Sequence, residues 1–382
     1  VDMRFKGVRI DVEAAKKFGE KLKKTKNNII DHIKRRTGIK IEIWAASSIK
    51  NLLDKLKIKD YKITPKSDQP QLPKDYLKTH KNHFIRLIAK AREFDKAENT
   101  FIVGLLKFVH NGRTHADINQ IRGEKGGTIT GRFSMSNPNL QQTPAKGFIG
   151  KKMRALFLPE EGHLWGSFDY SQQEPRIVVH YALKLKGCNV GTEKVVEAYN
   201  TNPDADFHQI VADMAKIPRI TAKTINLGLF YGMGKIKLQK ELKLDRDAAT
   251  KLFNTYHEKV PFVRSLASAV TKRASDKGRI RTLKGRICRF DLWEPNEFGI
   301  HRALPYEQAL HEWAGGENGV YYHRIRRAFT YKALNKLIQG SAADMTKKAM
   351  LDLYKEGIIA HIQIHDELDI SVESDKKAKR II

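Results

Sequence analysis

The sequence predicts an α+β protein in which a small antiparallel sheet is flanked by a helical arm and a large helical insertion. Three observations predict it. Long amphipathic segments occupy the N-terminal part of the chain. Two strand-like runs, Leu-Trp-Gly-Ser-Phe-Asp169 and Ile-Gln-Ile-His-Asp366, lie far apart and each breaks at an aspartate. Between them, Arg219-x-x-x-Lys223-x-x-x-Leu227-Gly228-x-x-Tyr231-Gly232 sets two cations and a ring on one helical stripe.

A chain of 382 residues that is 41% hydrophobic can bury a sizeable core in two or three subdomains, which excludes wholesale disorder. No apolar run is long enough to span a bilayer, and the start, Val-Asp-Met-Arg-Phe-Lys, lacks a secretion signal, so a cytoplasmic protein with no membrane partner is expected. Cys188 and Cys288 stand alone and imply neither a disulfide framework nor a zinc site. Lys and Arg number 71 against 43 Asp and Glu, a net charge of +28 spread along the chain. Such a field attracts polyanions and makes binding salt-dependent. No basic amphipathic segment with a Trp/Phe face stands out, so nucleic acid is favoured over anionic lipid.

Taken in order, residues 11–36 read as a helix with Val12, Ala15, Phe18, Leu22, Ile29, Ile30 and Ile33 on one face. Residues from about 60 to 76 are Pro-rich and polar, a loop or tip. A second helix, about 78–110, carries Phe84, Leu87, Ile88, Ala91 and Phe94, so the two helices form an arm that packs only on itself and can lie along a duplex. From 113 to 147 the chain turns to Gly, Thr, Ser, Asn and Gln, a turn-and-strand surface that could read a groove or simply be solvated. Residues 184 to about 328 are mostly helical, and 332–382 read as helix, strand, tight turn, strand.

Asp169 ends a strand that leads into a helix, and Ser171-x-x-Glu174 fits a capping box with Ser171 as N-cap. Asp366 and Glu367 sit at the turn of a hairpin whose apolar residues alternate, and Asp369 reads as a solvated surface charge. Two aspartates brought together from such positions could bridge two divalent cations about 3.5–4 Å apart, as phosphoryl transfer requires. On the cationic segment, positions four apart drift only about 40° per step, so Arg219 and Lys223 can grip successive phosphates. Gly228, Gly232 and Gly234 each cost a helix about 1 kcal/mol and suggest close approach of another backbone or a base.

Five groups of residues carry a resemblance: Thr130-Gly-Arg132-x-Ser134 with Pro138-Asn139-Leu-Gln141; Asp169-Tyr-Ser-Gln-x-Glu174-x-Arg176; the cationic segment; Asn335-x3-Gln339-Gly340-x-Ala-x-Asp344; and His365-Asp366-Glu367. In order and spacing they resemble the polymerase domain of family A DNA polymerases, particularly the bacteriophage type. The resemblance covers almost the whole chain.

It implies a right hand: a helical thumb over 1–112, a palm with an antiparallel sheet over 113–183 and 329–382, and helical fingers over 184–328. Asp169, the Tyr170 carbonyl and Asp366 would hold two Mg²⁺, with Mn²⁺ able to substitute, and Glu367 would support them. Arg219, Lys223 and His208 would meet the triphosphate, with Lys223 as proton donor to pyrophosphate. Gln172 and Leu227 would adjoin the nucleotide, Glu174 would crowd the sugar 2′ position, and Tyr231 would stack by the templating base. Arg132, Ser134, Asn139, Gln141, Asn335, Gln339 and His365 would contact primer-template DNA. The implied partners are that duplex and dNTPs. A monomer is expected, with accessory replication proteins, in a cytoplasm that includes that of a virus-infected bacterium.

Three residues depart from the family pattern. Leu227 stands where Phe or Tyr is usual, which predicts altered nucleotide selectivity and weak dideoxynucleotide incorporation. Pro175 replaces an aliphatic residue, and Tyr331 stands where an Arg is frequent. Residue 1 is Val and sixteen residues follow Asp366, which suggests a fragment of a longer protein, with no proofreading exonuclease expected within these residues. Two rivals remain: a single-subunit RNA polymerase, opposed by Glu174 and Glu367, and a non-catalytic nucleic-acid-binding module, opposed by the intact Asp169, Asp366, Arg219 and Lys223.

Overall fold

The computed structural model describes residues 1–123, 126–230, 232–297, 299, 301–314 and 325–374. The long helix Val12–Thr37 starts where Asp11 accepts from the Ala14 amide and stops at Gly38, whose φ of 75° takes the left-handed conformation that ends helices. It packs along His83–Lys96, which Asn82 caps by accepting from the Phe84 amide at 2.8 Å. Ile33, Ile49, Leu52, Leu53, Ile85 and Ile88 close a core drawn from the arm alone.

The arm differs from expectation in three ways. Its tip is structured: Lys62–Thr64 and Gln69–Gln71 pair antiparallel, with Pro70 opposite Ile63 in a two-stranded ribbon where its missing N–H is tolerated. The second helix is interrupted, since Lys74–Thr79 ends before Asn82 and π-helical Ala97–Val103 follows Lys96. The arm also does not pack only on itself, because at its base Ala15, Phe18, Leu22 and Ile102 close on Met153 and Leu156.

At the centre lies a three-stranded antiparallel sheet in which Glu367–Val372 is flanked by Ile362–Ile364 and Leu164–Asp169. Ile362, Leu368, Ile370 and Val372 are buried with Val8, Ile10, Met135 and Leu140, each worth about 1.5–3 kcal/mol of transfer free energy. Among its described residues the Gly- and Asn-rich segment adds the strand Arg113–Thr114, the ribbon Asp117–Asn119 with Ser134–Ser136 and a 3-10 turn Leu140–Gln142.

The insertion begins with helices, among them Gln173–Lys184, Phe207–Ala215, Arg219–Phe230, Arg246–Lys259 and Pro261–Lys277, around a core that includes Phe207, Phe230, Tyr256 and Phe262. It does not stay helical. Arg279–Arg281 pairs with Ile287–Arg289, and Leu292–Pro295 pairs with Leu304–Pro305 and Ile325–Arg327. Alternation of buried Ile280, Thr282, Cys288 and Phe290 with arginines is a two-residue period that a helix could not satisfy.

Candidate active site

The ladder between Leu164–Asp169 and Glu367–Val372 runs in a register that pairs Glu367 with Asp169 and Asp369 with Ser167. Beyond its end, the Tyr170 amide donates to the Asp366 carbonyl at 3.3 Å. Asp366 occupies the two-residue turn between Ile364 and Glu367, and His365 turns the corner at φ 56°. The structure thus brings the two predicted aspartates to one sheet end. Burial, then the charges of Asp366 and Glu367, raise the Asp169 carboxyl above its ordinary range. Burial likewise raises Asp366, against the opposing pull of Arg132 and His365. Two such carboxylates fit a divalent cation, whose charge would relieve both. Among the described residues no group of three or more His, Cys, Asp or Glu is arranged to hold a metal ion by itself.

Glu367 stands beside them, accepting from the Ser167 hydroxyl and from Arg154 Nη1 at 3.3 Å. Asp369 is not the surface charge expected. It is 4% exposed, its carboxyl lies 2.7 Å from Ser167 Oγ, and burial pushes that carboxyl up to about 6. It belongs to a strand covered on both faces, which the alternating sequence does not distinguish from a half-exposed one.

The capping box is also absent. Gln172, at φ 53°, is the N-cap of Gln173–Lys184 and makes no side-chain cap bond; instead its amide donates to the Ala205 carbonyl at 2.8 Å and accepts from the Phe207 amide at 2.7 Å. Buried Glu174 pairs with Arg132. Gln172 therefore anchors the start of Phe207–Ala215, where Asp206 accepts from the His208 amide at 2.8 Å and from Arg219 Nε at 2.7 Å.

Arg219 opens the cationic helix Arg219–Phe230 with Lys223 exposed one turn on and Leu227 half-buried after it. Tyr231 lies outside the described residues. Of the glycines, Gly232 matches the expected close approach: at φ 75°, a Cβ there would sit 3.0 Å from the Tyr331 carbonyl oxygen. At Gly228 the space is filled by the Met233 side chain, folded back because the Met233 amide donates to the Gly228 carbonyl at 2.8 Å.

An open cleft of about 430 Å³ is lined by Arg132, Ser134, Gln141, Asn335, Gln339 and His365, with Lys332 and Lys336 adding charge. Asn335 and Gln339 meet there because they lie one turn apart on Ala333–Lys355. Gln141 Nε2 donates to the Gln363 carbonyl at 3.1 Å, and Gln363 Nε2 to the His365 carbonyl at 2.6 Å, tying the cleft to the turn that carries Asp366. Asn139, at the start of the 3-10 turn, is not among the lining residues.

The model of DNA polymerase family A matches residues 12–381. The chain belongs to DNA polymerase family A. It is 33% identical to a DNA-directed DNA polymerase of Pseudomonas phage M6, aligned over 98% of this chain and 59% of the relative. Against DNA polymerase DpoZ of Salmonella phage PMBT28 the figures are 31%, 98% and 63%, so the chain spans about three fifths of the curated phage relatives it matches. Among solved structures, the POL domain of Pol1 from M. smegmatis, in complex with DNA primer-template and dNTP, superposes with a TM-score of 0.76 at 25% identity, covering 100% of this chain and 64% of that one. The fold is therefore the right-hand polymerase fold. Family A polymerases are generally dependent on divalent metal ions. No helix among the described residues is long and apolar enough to cross a membrane.

Within this family A fold, several site-supporting residues had no sequence signal that singled them out. Arg286 joins the insertion to the sheet side: its Nε donates to Asp344 at 2.7 Å and its Nη2 to the carbonyls of Thr130 at 2.8 Å and Gly340 at 2.9 Å. The Asp344 carboxylate also accepts from Thr282. Buried Asn226 and Tyr256 form a chain to His208. A spacing motif for Arg286 would have needed knowledge of the hairpin that folds it back.

Proposed function

We propose that the chain performs template-directed DNA synthesis, adding dNTPs to a primer 3′-hydroxyl with release of pyrophosphate. The observation that carries the reading is the juxtaposition of Asp169 and Asp366 at one sheet end, each carboxyl raised by burial. Asp169, Asp366 and the Tyr170 carbonyl would hold two Mg²⁺, with Mn²⁺ an alternative, which when bound acidify the 3′-hydroxyl and offset charge on the phosphates. Arg219 and Lys223 neutralise the triphosphate, and Lys223 supplies the proton to the departing pyrophosphate. Asp206 holds Arg219 until the triphosphate competes for its guanidinium. Glu174, fixed by Arg132, crowds the 2′ position of the sugar. The polar and cationic cleft receives the primer-template, with Arg132, Ser134, Gln141, Asn335, Gln339 and His365 as its contacts.

In this reading the arm, within 1–112, is the thumb, 113–183 with 329–382 the palm, and 184–328 the fingers. Purified chain with primer-template, Mg²⁺ and dNTPs should extend the primer as the template directs, and Asp169→Ala should abolish extension. Extension that survives Asp169→Ala, or a preference for NTPs over dNTPs, would falsify it.

A further inference from the structure

His208 is 9% exposed and lies where the charges of Lys223, Arg219 and Asp206 all reach it. Its Nδ1 is 3.0 Å from Asn226 Nδ2, while the Tyr256 hydroxyl donates to Asn226 Oδ1. Asn226 and Tyr256 are both 0% exposed. The three residues come from three helices, Phe207–Ala215, Arg219–Phe230 and Arg246–Lys259, so the chain crosses the cationic helix on its buried side.

Hydrogen-bond accounting settles which atom faces which. Burial raises the Tyr256 phenol well above its usual range, so it keeps its proton. Among the described residues that proton's acceptor is Asn226 Oδ1. Turning the amide over would strand a buried O–H at a cost of about 1–3 kcal/mol. The NH₂ therefore faces the imidazole, and since it can only donate, Nδ1 must accept. Burial, ahead of the opposing Asp206 charge and the reinforcing charges of Lys223 and Arg219, depresses the His208 imidazolium, so the ring is neutral at pH 7 and its single hydrogen is on Nε2.

We infer that Asn226 and Tyr256 are positioning residues that lock His208 as the Nε2–H tautomer, so that the ring offers a donor and not a lone pair to a phosphate oxygen of the incoming nucleotide. The inference rests on the polymerase reading for the identity of that anion. A neutral donor held in this way adds a directed hydrogen bond beside Arg219 and Lys223 without placing a charge on the buried His208 ring.

The test combines a spectrum with a mutant cycle. In ¹⁵N-histidine spectra of the unliganded protein, His208 should show an unprotonated Nδ1 and a protonated Nε2, and Tyr256→Phe, which frees the amide to turn over, should give a mixture of tautomers. In single-nucleotide extension, Tyr256→Phe should raise KM for dNTP by about 5-fold, the equivalent of one hydrogen bond, with primer-template affinity unchanged. In a His208→Ala background the same substitution should add nothing. A protonated Nδ1 in the unmodified protein, or an equal effect of Tyr256→Phe with and without His208, overturns the inference. Failure of the unmodified protein to extend any primer overturns the polymerase reading, and with it the phosphate partner, whatever the tautomer spectrum shows.

Discussion

Glu367 pairs with Asp169 across the antiparallel ladder, and this single register sets the geometry of the site. A one-residue slip would turn every side chain of Glu367–Val372 to the opposite face, removing Leu368, Ile370 and Val372 from the core. The burial that fixes the register therefore also fixes the meeting of Asp169 with Asp366.

Asp369 makes stability depend on pH. Its folded value of about 6 exceeds the ordinary 3.8, so the folded state holds a proton that the unfolded state has released. Its contribution is full below about pH 4 and is lost as pH rises through 6, a difference of about 3 kcal/mol for two pKa units. Asp369→Asn should raise Tm at pH 8 and leave it nearly unchanged at pH 4, as read by thermal melts at both values. Equal melting of the two proteins at pH 8 would refute the buried acid.

Arg286 should be needed for stability more than for chemistry. Its partner Asp344 has a side chain only 9% exposed, while the Arg286 side chain is 33% exposed. Removing one member of a buried pair costs about 3–5 kcal/mol, discounted here to about 2–3 for the open guanidinium. Denaturant unfolding of Arg286→Ala should show that loss, and Asp344→Asn in the same background should recover part of it, because no unpaired buried carboxylate then remains.

Lys332 should act on DNA only through charge. It lines the cleft beside Asn335 and Gln339. Lys332→Ala should weaken primer-template binding about equally for every sequence and lower the slope of log K against log salt by about 1. An unchanged salt slope would show that the duplex does not follow this cleft.

Leu227 places an aliphatic side chain, half-buried, on the cationic helix one turn beyond Lys223. The unmodified protein should discriminate strongly against dideoxynucleotides, and Leu227→Tyr or Leu227→Phe should change that ratio measurably. Comparable use of dideoxy and natural nucleotides before any substitution would remove Leu227 as the determinant.

By itself the sequence determined the acids, the cationic stripe and the α+β class, because each is written in local spacing: period two around Asp366, period four through Arg219 and Lys223, and long amphipathic helices before them. Tertiary structure alone decided what those residues touch. Spacing assigns the cap to Ser171, yet Gln172 takes a left-handed conformation and Glu174 is drawn to Arg132; alternation assigns Asp369 to the surface, yet it is 4% exposed. Arg286, Asn226 and Tyr256 owe their roles to partners far along the chain, and hydrogen bonds of that range depend on how helices and hairpins pack, which no local period records.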